Sequence, residues 1–132
     1  RELKRILTAA DAADFIDELP QGLDTLIGER GFRLSGGQKT RLTLARALAR
    51  GAPILVLDEA TAHLDTLSEQ RIRGHLKELK KNRIVIIITH RLTTVTHADE
   101  ILVLKQGGIE ARGNHRSLLV KSPTYRRLWR AQ

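Results

Sequence analysis

The spacing of apolar residues changes along the chain between the period of a helix and the continuous runs of a strand. Residues 1–19 carry apolar side chains at helical spacing and predict one or two short helices, which Pro20 and Gly22 end. Ser35 stands directly before a longer helical pattern and Gly51 directly after it. These two residues predict the N-cap and the end of a third helix.

Two continuous apolar runs, at residues 54–57 and 84–88, predict strands buried on both faces of a sheet. A helix capped by Asp65 and reaching about residue 80 is predicted between them, so the two strands are expected to pair in parallel through a right-handed crossover. Polar residues follow each strand directly, at the edge of the sheet where ligands bind in folds of this kind. They are Asp58 and Glu59 after the first strand, and Thr89 and His90 after the second.

The last third of the chain predicts a β-hairpin flanked by helices. A short helix is expected within residues 91–98, followed by a strand at 101–104 that a glycine-containing turn joins to a strand at 109–112. Two closing helical segments are expected at 115–120 and 125–130. Strands that alternate with helices place the whole chain in the α/β class.

The composition of the chain excludes several kinds of functional site. The chain has 132 residues, no cysteine and a net charge of +8, so disulfides, thiolate nucleophiles and cysteine-ligated zinc are excluded. No apolar run reaches the length of about 18 residues that a membrane span needs. The charge favours phosphates or an anionic membrane surface. Because the four aromatic residues are scattered, we expect no nucleic-acid partner, and the alternative explanation of the charge is a solvated basic face.

Residues 34–38, Leu-Ser-Gly-Gly-Gln, open the predicted third helix with two residues that lack side chains. Backbone N–H groups of Gly36 and Gly37 could approach an anion at the positive end of the helix, and the Ser35 hydroxyl could donate a hydrogen bond to it. The stretch is not a P-loop, because Gln38 rather than glycine precedes Lys39. It is predicted to contact a phosphate.

The acids after the first strand suit a nucleotide site. Asp58 can hold Mg²⁺, usually through water, and Glu59 beside it can polarise an attacking water as a general base. His90 can donate a hydrogen bond to a phosphoryl oxygen or position that water. The other four histidines, at 63, 75, 97 and 115, have no ligand-like pairing, so we expect neither a catalytic role for them nor a zinc site.

Taken together, these motifs resemble the nucleotide-binding domain of ABC transporters, and the resemblance runs over nearly the whole chain. Residues 34–38 resemble the signature motif, 54–58 the Walker B strand, Glu59 the catalytic glutamate, 62–65 the D-loop and Thr89-His90 the switch histidine. The segment from Asp14 to Gly31 is similar to that of exporter-type members, including a loop at 28–31 that faces the membrane domain. The D-loop has His63 where a small residue is usual, Thr40 replaces a common Gln, and Arg116 replaces a common acid.

The resemblance implies an incomplete P-loop NTPase-like three-layer α/β fold. Residues 1–50 would belong to the helical subdomain with the signature motif, and residues 51–132 to the catalytic core. Ser35, Gly36, Gly37 and Gln38 would contact ATP, Asp58 would bind Mg²⁺, and Glu59 and His90 would be catalytic. The family's P-loop, adenine-stacking aromatic residue and Q-loop would all precede Arg1, so the isolated chain is expected to bind ATP weakly and hydrolyse it negligibly.

The implied function is ATP hydrolysis coupled to transmembrane export, at the cytoplasmic face of the cell membrane. The implied partners are a second nucleotide-binding domain in a head-to-tail dimer and the transmembrane domain of an exporter. Two alternatives stay open. One is an ABC ATPase without a membrane partner that acts on DNA or ribosomes, and the other is a truncated or regulatory fragment with no hydrolysis of its own.

Overall fold

The computed structural model describes residues 1–28, 32–60, 64–80 and 82–132, which divide into two compact units, Arg1–Ile88 and Thr89–Gln132. The helices are α1 Glu2–Ala9, α2 Ala13–Asp17, α3 Gly36–Ala49, α4 Thr66–Leu79, α5 Leu92–Val95, α6 His115–Lys121 and α7 Pro123–Arg130, and the strands are β1 Ile54–Asp58, β2 Ile84–Ile88, β3 Ile101–Lys105 and β4 Gly108–Gly113. The mixed helix and strand content confirms the α/β class. The subdomain boundary expected after residue 50 stays a prediction.

The helix ends of the first unit follow from single side chains. Ser35 caps α3, where its side chain accepts a hydrogen bond from the Gln38 N–H. Asp65 caps α4 and accepts from the N–H groups of Leu67 and Ser68 at 3.1 and 2.9 Å. Gly51, just past α3, has a φ of +64° that suits a residue without a side chain. The caps predicted from the sequence are therefore confirmed.

The sheet of the first unit consists of β1 and β2 in parallel, with Ile54 opposite Ile84 and Asp58 opposite Ile88. The core lies between this sheet and the helices of the unit, and α1 packs against both α3 and α4. Ile72 of α4 is only 1% exposed within it. The parallel pairing predicted from the strand–helix–strand order is confirmed.

The prediction that both strands are buried on both faces is wrong for the described part of the chain. Leu55 and Leu57 are each 5% exposed, whereas Ile54 and Val56 between them are more than half exposed. Three residues of β2 are exposed as well, namely Ile84, Ile86 and Ile88. The reason is that helices cover the sheet on one side only among the described residues, which leaves an apolar face on the other.

The second unit is built on the predicted hairpin. β3 and β4 pair antiparallel, and the turn residues Gln106 and Gly107 both have positive φ. Leu118 of α6 and Tyr125 of α7 are each 1% exposed, and the Tyr125 hydroxyl lies 2.8 Å from His115 Nδ1. In the described residues of either unit, no helix is long and apolar enough to cross a membrane.

Candidate functional site

The predicted phosphate-contacting residues lie together at the start of α3. Ser35 Oγ accepts a hydrogen bond from the Gln38 N–H at 3.2 Å, and Gln38 Oε1 accepts one from the Ser35 N–H at 2.9 Å. This reciprocal pair is a capping box, which fixes the backbone at the helix N-terminus. Because the Ser35 oxygen acts as the acceptor, its hydroxyl hydrogen is available to donate to a ligand.

Access to this helix end is open. Ser35 and Gly36 are exposed, and Gly37 and Gln38 are half-buried. A Cβ built on Gly36 would meet nothing within 4 Å. The absent side chain is therefore not required by packing within the first unit, and a ligand can approach the backbone N–H groups of α3 directly.

Asp58 and Glu59 lie at the carboxyl end of β1, where both are exposed. The Glu59 N–H donates to the Ile88 carbonyl of β2 at 2.9 Å, which ties the two strand ends together. Glu59 has a φ of +47°, a conformation that costs a residue with a side chain about 1–3 kcal/mol. Strained backbone of this kind concentrates at functional sites, and here it turns the chain immediately after the strand.

The chemistry of these donors fits Mg²⁺ and a phosphate. Asp58 offers carboxylate oxygens, which are the ligands that Mg²⁺ prefers, and its exposure leaves room for the water molecules that Mg²⁺ keeps. Among the described residues, no group of three or more His, Asp or Glu side chains could hold a metal ion. Asp58 is the residue at this strand end that would hold a divalent cation.

His90 belongs to the second unit, where it follows Thr89, and its side chain is exposed. Its carbonyl accepts a hydrogen bond from Gln132 Nε2, while Gln132 Oε1 accepts from the Leu92 N–H at 2.8 Å. The Thr89 hydroxyl oxygen accepts from the Arg91 N–H at 2.9 Å. These contacts hold the backbone around His90 and leave the imidazole outside the hairpin core.

Two of the predicted functional segments lie partly outside the described residues. Of the D-loop, the structure describes Leu64 and Asp65 but not residues 62 and 63. Of the loop predicted to face the membrane domain, it describes Gly28 but not residues 29–31. His63, predicted to be non-catalytic, also falls in the undescribed part.

One group of interacting side chains in the first unit has no signal in the sequence. Asp11, which follows α1, forms ion pairs with Arg41 of α3 and with Arg71 of α4, each at 3.2 Å. The guanidinium of Arg41 also lies 5.0 Å from the ring centroid of Phe15. No local sequence pattern predicts this group, because Arg41 and Arg71 lie 30 and 60 residues from Asp11 in sequence.

The chain is similar to several known proteins. A family model described as the RecF/RecN/SMC N terminal domain matches residues 13–110. ATP-dependent lipid A-core flippases are similar to the chain: that of Haemophilus influenzae strain 86-028NP is 54% identical over 132 residues, and that of Vibrio cholerae is 51% identical over 131 residues. These matches cover 98% and 99% of this chain and 22% of each flippase. The chain thus spans about a fifth of the length of the curated relatives it matches.

A solved structure has the same fold. It is described as a bacterial Atm1-family ABC exporter with ATP bound, and it matches with a TM-score of 0.91 and 45% sequence identity. The match covers 99% of this chain and 23% of the exporter chain. The arrangement of helices and strands described above is therefore that of a part of an ABC exporter.

Proposed function

Since this chain belongs to the RecF/RecN/SMC N terminal domain family and is part of a nucleotide-binding domain of the ABC exporter type, we propose that it supplies catalytic residues for ATP hydrolysis coupled to transmembrane export. The observation that carries the proposal is the open, glycine-lined N-terminus of α3, which the Ser35–Gln38 capping box fixes in place. A helix end prepared in this way binds phosphate through its N–H groups.

We assign the phosphate contacts to Ser35, Gly36, Gly37 and Gln38. The Ser35 hydroxyl and the N–H groups at the start of α3 would donate to phosphate oxygens of an ATP that another nucleotide-binding domain holds. Such donors need no reorganisation when charge develops on the transferring phosphoryl group, because the capping box already orients them. The partner of this chain would therefore be a second nucleotide-binding domain, arranged head to tail with it.

We assign the hydrolytic chemistry to the residues that follow β1 and β2. Asp58 would hold Mg²⁺, which neutralises charge on the phosphate oxygens. Glu59 would accept a proton from the attacking water, and its backbone bond to Ile88 keeps its position relative to β2. His90 would donate a hydrogen bond to a phosphoryl oxygen. The transmembrane domain of the exporter would place this chain at the cytoplasmic face of the membrane.

The test is hydrolysis by the full protein that the gene encodes, compared between the unmodified protein and Glu59→Gln. Loss of the general base is expected to lower kcat by about 10²-fold or more, while ATP binding is retained because Gln keeps the size of the side chain. Glu18→Gln, an exposed acid at the end of α2, is the matched control and is expected to hydrolyse ATP normally. Equal rates for Glu59→Gln and the unmodified protein would contradict the proposal.

A second candidate is an ABC ATPase without a membrane partner. The description of the family model, RecF/RecN/SMC, favours it. The sequence identity of more than 50% to lipid A-core flippases over nearly the whole chain favours the exporter. Affinity purification of the full protein separates the two, because the exporter is expected in the detergent-solubilised membrane fraction and the alternative in the soluble fraction with DNA or ribosomes.

A further inference from the structure

Asp11 occupies a backbone position that normally belongs to glycine. It follows the C-cap of α1 with a φ of +53°, its N–H donates to the Thr8 carbonyl, and the Ala12 N–H donates to the Leu7 carbonyl. This pair of hydrogen bonds is the Schellman motif, in which the left-handed residue is usually Gly and sometimes Asn. An aspartate there carries a conformational cost that glycine avoids.

The side chain of Asp11 makes ion pairs that a glycine at this position could not make. One carboxylate oxygen accepts from Arg41 Nη1 of α3 and the other from Arg71 Nη1 of α4, each at 3.2 Å. Arg41 Nη1 also donates to the Asp11 carbonyl at 3.1 Å. The Asp11 side chain is 11% exposed, so water screens these ion pairs only in part. One residue thus joins the C-terminus of α1 to two further helices.

Of the two helices that Asp11 joins, α3 carries the proposed phosphate contacts and α4 belongs to the same buried core as β1, the strand that ends at the proposed acids. α3 begins with the phosphate-contacting residues, and Arg41 lies less than two turns from its start. Ile72 of α4 and Leu57 of β1 lie in one buried cluster, so a shift of α4 is transmitted to the strand that ends at Asp58. Arg41 is further held against the ring of Phe15, which is 6% exposed. The orientation of α3 therefore depends on the same carboxylate that holds α4, because Asp11 binds Arg41 and Arg71 at once.

We propose that Asp11 is a positioning residue for ATP hydrolysis: it fixes the N-terminus of α3 relative to α4, and so sets the position of the phosphate contacts relative to the acids at the carboxyl end of β1. The inference rests on the proposed function. Because α3 would meet the nucleotide of another domain only in the closed assembly, misalignment is expected to lower kcat more than it raises KM.

Two substitutions of Asp11 separate positioning from stability. Asp11→Asn keeps a residue that tolerates positive φ but removes the charge, whereas Asp11→Gly removes the charge and also relieves the backbone. In the full protein, both variants are expected to lower kcat about fivefold, the size expected of two partly exposed ion pairs, with KM changed less than about twofold. Asp17→Asn in α2 is the matched control and is expected to leave kcat and KM unchanged.

The melting temperatures of the same variants provide the deciding comparison. Positioning predicts that Asp11→Gly keeps its low kcat even though it melts at least as high as the unmodified protein. A merely structural role predicts that kcat follows the melting temperature and recovers in Asp11→Gly, and that result would overturn the inference. So would a normal kcat in Asp11→Asn.

A third variant tests the link to α4. Arg71 is half-exposed, so Arg71→Gln should fold normally. It is expected to lower kcat less than Asp11→Asn does, because it breaks only one of the two ion pairs of Asp11. The double variant should match Asp11→Asn alone, because Asp11→Asn already breaks the ion pair with Arg71. Additive effects of the two substitutions would overturn the inference. If Glu59→Gln hydrolysed ATP like the unmodified protein, the proposed function itself would fail, and this inference with it.

Discussion

Gly113 shows how a single residue can be required by the space around it. Its φ is +155°, and a Cβ built on it would lie 2.5 Å from Ser117 Oγ. Ser117 cannot easily turn away, because its hydroxyl donates to the Asn114 carbonyl at 2.9 Å and its N–H donates to Asn114 Oδ1 at 2.9 Å. The glycine at the end of β4 therefore allows α6 to start immediately after the hairpin.

Gly113→Ala is expected to lower the stability of the second unit by about 1–3 kcal/mol, from the strained φ and the displaced Ser117. The matched control is Gly108→Ala at the other end of β4, where a Cβ would only touch the Lys105 carbonyl at 3.8 Å. Denaturant unfolding followed by fluorescence of Trp129, the single tryptophan of the chain, measures both variants. Equal midpoints for the two would show that the close approach to Ser117 has no energetic effect.

The backbone at Asp11 and Glu59 illustrates what residue-level reading of a sequence misses. Both have positive φ although neither is glycine, and nothing in the local pattern predicts it. The sequence did place Glu59 at a strand end, because the apolar run before it stops there. It could not place Asp11 between Arg41 and Arg71, since that contact exists only once three helices have packed.

At the scale of elements, prediction from the sequence succeeded where the deciding contacts are local. The starts of α3 and α4 depend on hydrogen bonds that the side chains of Ser35 and Asp65 accept from N–H groups at most three residues away. The Glu69–Arg73 ion pair of α4, at 3.1 Å, likewise depends only on a spacing of four residues within one helix. Such interactions can be read from neighbouring residues without knowledge of the fold.

The cap of α4 predicts a pH dependence. The hydrogen bond from the Ser68 N–H holds the pKa of Asp65 below its ordinary value of 3.8. A lowered folded-state pKa stabilises the protein above the unfolded value, and this contribution is lost as the pH falls through the folded value. Asp65→Asn keeps a capping oxygen but does not titrate, so its stability should fall less than that of the unmodified chain below about pH 4.

Urea unfolding at neutral and at acidic pH measures this difference. Other carboxylates titrate in the same range, among them Glu110, whose pKa is lowered by hydrogen bonds from Thr124 and Lys105. The unmodified chain and Asp65→Asn share these other carboxylates, so the difference in acid sensitivity between the two proteins measures the contribution of Asp65. Identical acid sensitivity of Asp65→Asn and the unmodified chain would rule out a contribution from the cap.

At the scale of the whole molecule, the sequence and the structure disagree on one face of a sheet. The apolar runs of β1 and β2 predict burial on both sides, whereas Ile54, Val56 and Ile84 are 51%, 55% and 61% exposed. A continuous apolar run is typical of a strand buried on both faces, yet the described helices cover only one face of this sheet. The positions of the two strands are thus predictable from the apolar runs, but the burial of each face is not.

The central claim is that the N-terminus of α3 faces the terminal phosphate of ATP. Photolabelling of the full protein with an ATP analogue that is photoreactive at its γ-phosphate tests this most directly. Arg33 and Lys39 flank the motif, so trypsin releases it as the peptide Leu34–Lys39. The account predicts Mg²⁺-dependent labelling of that peptide, which excess ATP suppresses. Labelling confined to other peptides of this chain, with Leu34–Lys39 unmodified, would contradict it.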